Sequence, residues 1–298
     1  MSDAHQVIDD LFRSYLSSHP DMAEHWLLEQ TLYTGVERRE LVQRLPLSEG
    51  QSVLDIGTGF GALAFDLAVF LPLHITAIDL RGDTILHTKN LYDQLVLKNC
   101  LQSGSNIQIE LADLYHLPYG DQSFDFVIAR FVYQHLSDPA MATKEINRVV
   151  KPGGFIYLID VDDQLNLSYP EVSPAFAILQ NAFAKLQQAR GGDRFVGRKL
   201  ASLLGQFNLR ILSSQVQTQS GFAFVNRNDL GHSYSLQRLA QSKQGIIERQ
   251  ILAEAEFDHH FQQFASETDL WQFQSSSQIA VLGQKQPTLF MIPLLKDS

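Results

Sequence analysis

Val53-Leu54-Asp55-Ile56-Gly57-Thr58-Gly59-Phe60-Gly61 is the stretch that decides the fold: an apolar run closes on an acid and then on three alternating glycines. It predicts a strand, a tight turn and the start of a helix. Glycine is needed because the turn uses backbone angles that other residues avoid and lets a ligand lie against the main chain. Exposed N–H groups at the helix start then favour an anionic group. Gly57-x-Gly59-x-x-Ala62 also fits a loose form of the dinucleotide-binding pattern, so the loop alone does not separate one nucleotide ligand from another.

The residues that follow narrow the choice. Asp79 closes the next apolar run, His74-Ile75-Thr76-Ala77-Ile78-Asp79-Leu80, where an acid can accept hydrogen bonds from ribose hydroxyls. Ala112-Asp113 with Leu117-Pro118, then Ser123-Phe124-Asp125-Phe126-Val127-Ile128, then Lys151-Pro152-Gly153-Gly154-Phe155 complete an ordered set. From about Leu41 to Asp160 this set resembles the class I S-adenosylmethionine-dependent methyltransferases, the small-molecule type that includes the ubiquinone/menaquinone C-methyltransferases. Asp55, two residues before the first glycine, favours that family over dehydrogenases, whose pattern calls for no acid there.

The chain has 298 residues, 45% of them hydrophobic, enough to bury a sizeable core in one large domain or a domain with a cap. A net charge of −10 argues against nucleic acid as the main partner, since such binding relies on clustered Lys and Arg. Arg190, Arg194, Arg198 and Lys199 form a local basic stretch that reads most simply as a solvated helix face. Cys100 is the only cysteine, so no internal disulfide or Cys-rich metal site can form. The N-terminus has no signal-peptide pattern, and no apolar run approaches the roughly 18 residues of a membrane span. These features imply a soluble, cytoplasmic protein, monomeric or homodimeric, with no membrane partner.

Short apolar strands alternate with helical segments from Gln51: strand 52–56, helix 60–70, strand 74–79, helix 83–98, strands 107–111 and 124–129, helix 138–150, strand 154–160. Such alternation predicts an α/β fold with a doubly wound, Rossmann-like parallel sheet. The resemblance implies seven strands, the last antiparallel, with Leu209–Gln217 and Ser277–Gly283 as the final pair. Residues 1–40 read as N-terminal cap helices, 41–221 and 276–286 as the cofactor-binding core, 222–275 as an inserted helical lid, and 287–298 as an apolar tail that packs on the body or on a partner.

Methyl transfer from a sulfonium asks mainly for positioning and exclusion of water, so binding residues should be easier to find than catalytic ones. Gly57 and Gly59 would bring the backbone close to the methionine part of the cofactor. The resemblance puts Asp55 beside that site, as a support for the loop or for the amino group. Asp79, next to Leu80, would take both ribose hydroxyls. Again from the resemblance, Asp113 would accept from the adenine amino group, the N–H of Leu114 would bind the ring, and the carbonyl of Arg130 would receive the cofactor's ammonium. Asp113 also suits a loop acid capping its own turn.

His135 has a pKa suited to a general base, set against a structural hydrogen bond. Asp160, Asp162 and Asp163 follow the fifth strand; Asp160 is a candidate to face the acceptor, set against the ordinary reading of solvated acids. Tyr33 and Arg38 either close over the methionine carboxylate or serve helix packing. Asp258, His259 and His260 contain ligand types, but adjacent histidines on a helix diverge, so no metal is expected.

The expected activity is S-adenosylmethionine-dependent methyl transfer to a small organic acceptor, yielding S-adenosylhomocysteine. Phe222, Phe224, Tyr234, Phe257, Phe261 and Phe264 make an apolar or aromatic acceptor one option and ordinary core packing the other. RNA or protein methylation is disfavoured by the acidic balance and by Ala129-Arg130-Phe131-Val132, which lacks the Asn/Asp-Pro-Pro-aromatic motif such enzymes often carry there. A non-catalytic cofactor-binding sensor or subunit is the other alternative.

Overall fold

The computed structural model describes residues 3–22, 24–226 and 229–287. Three helices come first, α1 (Asp3–Ser18), α2 (His25–Tyr33) and α3 (Gly35–Arg44). Then β1 (Ser52–Ile56), α4 (Ala62–Phe70), β2 (His74–Asp79), α5 (Gly82–Leu97), β3 (Asn106–Leu111), β4 (Phe124–Arg130), α6 (Pro139–Val149) and β5 (Val150–Val161) build the alternating core. The chain continues through β6 (Leu167–Tyr169), α7 (Pro174–Ala189), α8 (Leu200–Gln206), β7 (Leu209–Val225), α9 (Leu230–Glu248), α10 (Glu254–Ser266) and β8 (Leu270–Lys285).

The sheet runs β3-β2-β1-β4-β5-β8, with β7 on the far edge of β8. Strands β1 to β5 are parallel and β8 is antiparallel to β5, as the resemblance implied. An eighth strand, β6, was not expected: its three residues pair with Ser275 to Phe273 and take over from β5 along the same edge of β8. Strand order reverses between β1 and β4, and ligands bind at such switch points, outside the carboxyl ends of the strands. One sheet face packs under α1, α3, α4 and α5 with Phe12, Phe65 and Leu67 fully buried; the other packs under α6 and α8.

A buried ionic network fixes the N-terminal helices. Asp66 on α4 is fully buried and accepts from Arg38 Nε at 2.7 Å, while Arg39 bridges Asp66 and Asp9. Buried charges of this kind persist only when paired.

Two segments depart from expectation. Strands β7 and β8 are about twice as long as the sequence indicated, so residues 222–225 and 270–275 are a two-stranded ribbon and the helical insertion proper is α9 and α10. Backbone pairing carries the ladder past the sheet, through a largely exposed and polar stretch from Ser213 to Gly221. The predicted apolar tail lies outside the described residues from Thr288 onward.

Candidate functional site: a cavity at the strand switch point

A cavity of about 610 Å³ opens at the carboxyl ends of β1, β2 and β4 and is roofed by α2, α7 and α9. That size falls within the roughly 300–1,000 Å³ of ligand sites. Its floor is the glycine loop. Gly57 and Gly59 have φ of +68° and +55°, and a Cβ on Gly57 would stand 2.5 Å from Val132 Cγ2. Only glycine supplies both the angle and the space.

Asp79 ends β2 and spans the loop: Oδ2 accepts from Gly59 N at 3.0 Å and Oδ1 from Arg81 N at 3.1 Å. An ionised carboxylate has acceptor capacity left for a ligand. Burial pushes its pKa up, against the pull of those amide donors. The Asp55 side chain is 2% exposed, and its Oδ2 has no hydrogen-bond partner. Burial raises its pKa to about 7, and the nearby Asp79 charge adds to the shift.

Two arginines share this end of the wall. Arg38 donates from Nε to Asp66 and from Nη1 to Thr31 O at 2.8 Å, leaving Nη2 buried and unpartnered. Arg130 ends β4 with its guanidinium 4.1 Å above the Phe131 ring, and its Nε and Nη2 are likewise buried without a hydrogen bond. Glu37 lies 3.8 Å away, and burial lowers the Arg130 pKa to about 10. Phe131 itself has φ +60°, an uncommon angle for a non-glycine residue and a sign of a loop held by its surroundings.

Asp113 follows β3 on the cavity wall with Leu114, and its Oδ1 accepts from Tyr115 N at 2.9 Å. The residue therefore caps its own turn, and its other oxygen lies 3.5 Å from His116 Nδ1. Leu80 is largely exposed and lines the same cavity.

Other sequence candidates fall elsewhere. Tyr33 is not on the cavity wall; it stacks on Tyr234 with ring centroids 6.4 Å apart, while Arg38 is on the wall. Asp160 is 1% exposed and also off the wall, with its oxygens accepting from Gln134 N at 3.1 Å and Val161 N at 2.8 Å. It is a clamp beneath the loop after β4 rather than a group facing an acceptor, because both oxygens are committed to backbone amides. Burial raises its pKa to about 7.

Asp162 and Asp163 are not solvated acids. They pair with Arg198 and Arg194, so the basic stretch is partly an ionic seam and partly cavity wall. His135 does line the cavity, but burial and the positive charges of Arg194, Arg81 and Arg190 hold its pKa down to about 4. Gln187 Nε2 lies 3.5 Å from its Nδ1, a structural contact of the kind set against the base role. At neutral pH the ring is uncharged and a weak base.

The aromatic residues of the insertion also divide. Phe257, Phe261 and Phe264 pack with α7 in a separate small core, and Phe222 and Phe224 flank Trp271 on the ribbon. Tyr234 alone of the six lines the cavity. What sequence reading missed is Phe183, Arg190, Arg194 and Arg238, all on the wall. The isolated apolar cluster beside charged residues was visible, but its facing was not. Among the described residues no cluster of His, Cys, Asp and Glu could hold a metal ion.

Residues 54–158 match the methyltransferase domain family. The chain is 31% identical over 150 residues to the O-methyltransferase resE of Aspergillus sclerotiorum, covering 50% of this chain and 54% of that one. It is 29% identical over 138 residues to the ubiquinone/menaquinone biosynthesis C-methyltransferase UbiE of Geotalea daltonii, covering 45% and 56%. These matches span little more than half the length of the relatives. The YcgJ protein of Bacillus subtilis superposes with a TM-score of 0.55 at 17% identity, covering 84% of this chain and 99% of that one, which establishes a shared fold. Residues 54–158 are thus similar to methyltransferase domains, on a fold shared with the YcgJ protein.

Proposed function

We propose that the whole chain is an S-adenosylmethionine-dependent methyltransferase acting on a small organic acceptor held between the glycine loop and the helical roof. The observation that carries this reading is one end of the cavity wall where Asp55, Arg38 and Arg130 each hold a buried polar atom with no hydrogen-bond partner among the described residues. A buried polar atom left without a hydrogen bond is costly, so a wall where one carboxylate and two guanidinium groups keep unused hydrogen-bonding capacity fits a ligand bearing an ammonium and a carboxylate side by side, as an amino acid does. Asp79 then has free lone pairs for a diol, and the Asp113–Leu114 turn on the same wall would offer an adenine edge an acceptor and a donor.

The bound cofactor supplies an already activated methyl group. The chain's own residues position the acceptor and keep water out. The roof does both: Gln30 of α2 donates to the Tyr234 hydroxyl of α9 at 3.1 Å, Trp26 donates to Gln241, and Ser233 donates to Glu29 at 2.8 Å. His135, uncharged at neutral pH, can accept a hydrogen bond but is too weak a base to take much of a proton. We assign it to orienting the acceptor. Helices α9 and α10 form a cover that opens to admit the acceptor, and the single Cys100 suits a reducing cytoplasm.

Calorimetry with S-adenosylmethionine, S-adenosylhomocysteine and NAD, followed by turnover on an acceptor panel, tests the reading. Binding of both adenosyl ligands and not of NAD is expected, with methylated product by mass spectrometry. Binding of NAD alone would overturn it.

A further inference from the structure

The wall contributed by the chain beyond residue 137 consists of Phe183, Arg190, Arg194, Tyr234 and Arg238: three cations and no acid, in a protein of net charge −10. The three arginines are not equivalent. Arg194 is spoken for, with Nε and Nη2 donating to Asp163 at 2.9 and 2.6 Å and Nη1 to Gln134. Arg238 is 7% exposed and has no carboxylate partner among the described residues. It lies 4.6 Å from the Phe183 ring centroid and 5.0 Å from that of Tyr234, donates from Nη1 to the Tyr234 hydroxyl at 2.9 Å, and keeps Nε buried and unpartnered. Two ring faces hold a guanidinium in place without neutralising it.

Arg190 follows the last turn of α7, where the helix dipole offers a fraction of a charge, and it too lacks a carboxylate partner among the described residues. It reaches the wall past Gly245 of α9: a Cβ there would stand 2.9 Å from Arg190 Nη2, so the glycine makes the room. Tyr234 completes the group. Its oxygen already accepts from Gln30 and from Arg238, so its own proton is left to donate elsewhere.

We propose that the methyl acceptor carries an anionic group, a carboxylate or a phosphate, bound by Arg238 and Arg190 with the Tyr234 hydroxyl as a third donor. A planar oxyanion matches the guanidinium fork, and the apolar Phe183 face beside it suits the body of a small organic molecule. The inference rests on the methyl-transfer reading and assigns the acceptor end of the same cavity.

The test is calorimetry on the protein loaded with S-adenosylhomocysteine, titrated with benzoate, phenyl phosphate and the neutral isostere benzamide at fixed ionic strength. At least tenfold preference for an anion over benzamide is expected, and the better of the two anions identifies the oxyanion. R190Q and R238Q should each weaken anion binding at least tenfold while S-adenosylhomocysteine affinity stays within twofold. R190Q carries the test alone if R238Q lowers the melting temperature steeply, since Arg190 is exposed and its side chain holds no hydrogen bond or ion pair among the described residues. Equal binding of benzamide, no anion binding to the loaded protein, or anion binding untouched in R190Q overturns the proposal. Failure of S-adenosylhomocysteine itself to bind removes the methyl-transfer reading and this one with it.

Discussion

The two walls of the cavity are built by different means. The floor comes from short loops after parallel strands, and its donors and acceptors are backbone amides and acids within a few residues of a strand end: Gly57 and Gly59 after β1, Asp79 at the end of β2, Asp113 after β3. The roof comes from helices about 200 residues apart in sequence, α2 and α9, joined through Gln30 and Tyr234, with side chains rather than backbone facing the ligand space. A floor built from local geometry suits a ligand shared by many enzymes. A roof of long side chains can change with the acceptor while the floor stays as it is.

The sharpest way to break the comparison is at the joint between the two. Asp66 holds both Arg38, a floor-end wall residue, and Arg39, which ties α1 to α4 through Asp9. Asp66→Ala leaves two buried guanidinium groups short of a partner and should cost about 3–5 kcal/mol of stability in a urea titration. A loss below 1 kcal/mol would mean that the N-terminal helices are held by apolar packing alone.

Asp79→Ala tests the floor itself. The variant loses two charge-assisted hydrogen bonds to ribose hydroxyls and frees the Gly59 and Arg81 amides, so cofactor affinity should fall by about 100-fold, on the order of 3 kcal/mol. Normal affinity by calorimetry would reduce Asp79 to a loop support.

Gly57→Ala asks whether the loop angle matters as much as its chemistry. Positive φ costs a side-chain-bearing residue roughly 1–2 kcal/mol, and the new Cβ meets Val132. Cofactor affinity should drop by about tenfold, with the melting temperature lowered as well. Unchanged affinity would show that the turn tolerates rearrangement.

The smallest effect is a pH dependence. Free Asp55 titrates near 7 because burial disfavours its charge, and a ligand ammonium would draw it to the charged form. Its folded pKa is raised in the free protein and falls in the complex, so binding releases a proton below about pH 7. Cofactor affinity should therefore rise with pH up to about 7 and level off above it, by at most tenfold per pH unit, and Asp55→Asn should flatten the profile. A flat profile in the unaltered protein would separate Asp55 from the ammonium.

Most of the floor was legible in the sequence because its signals are local. Short apolar runs, glycines at fixed offsets and acids at strand ends are set by backbone sterics within some nine residues, as in Val53 to Gly61. Arg130 and His135 were found on the same logic, as residues just after a strand. Tyr33 was misplaced by one helical face. Arg38, five residues on and on the same run of helices, is the one that meets the wall, and which of the two turns inward depends on how α2 and α3 break at Thr34. Asp160 also looked like a site residue by position. Its carboxylate was claimed by the backbone of Gln134, a contact that exists only once β4 and β5 lie side by side.

By itself the sequence determined a doubly wound sheet, its switch point and the glycine loop on the cavity floor, since each follows from the spacing of a few neighbouring residues. Tertiary structure alone decided which side chains of the later helices line the cavity. In the sequence Arg190 and Arg194 belong to a basic stretch that reads as a solvated helix face, and nothing there singles out Arg238. They become a charged wall because α7 and α9 pack against each other with Gly245 at the crossing, and a long-range packing of this kind leaves no periodicity in the chain to be read.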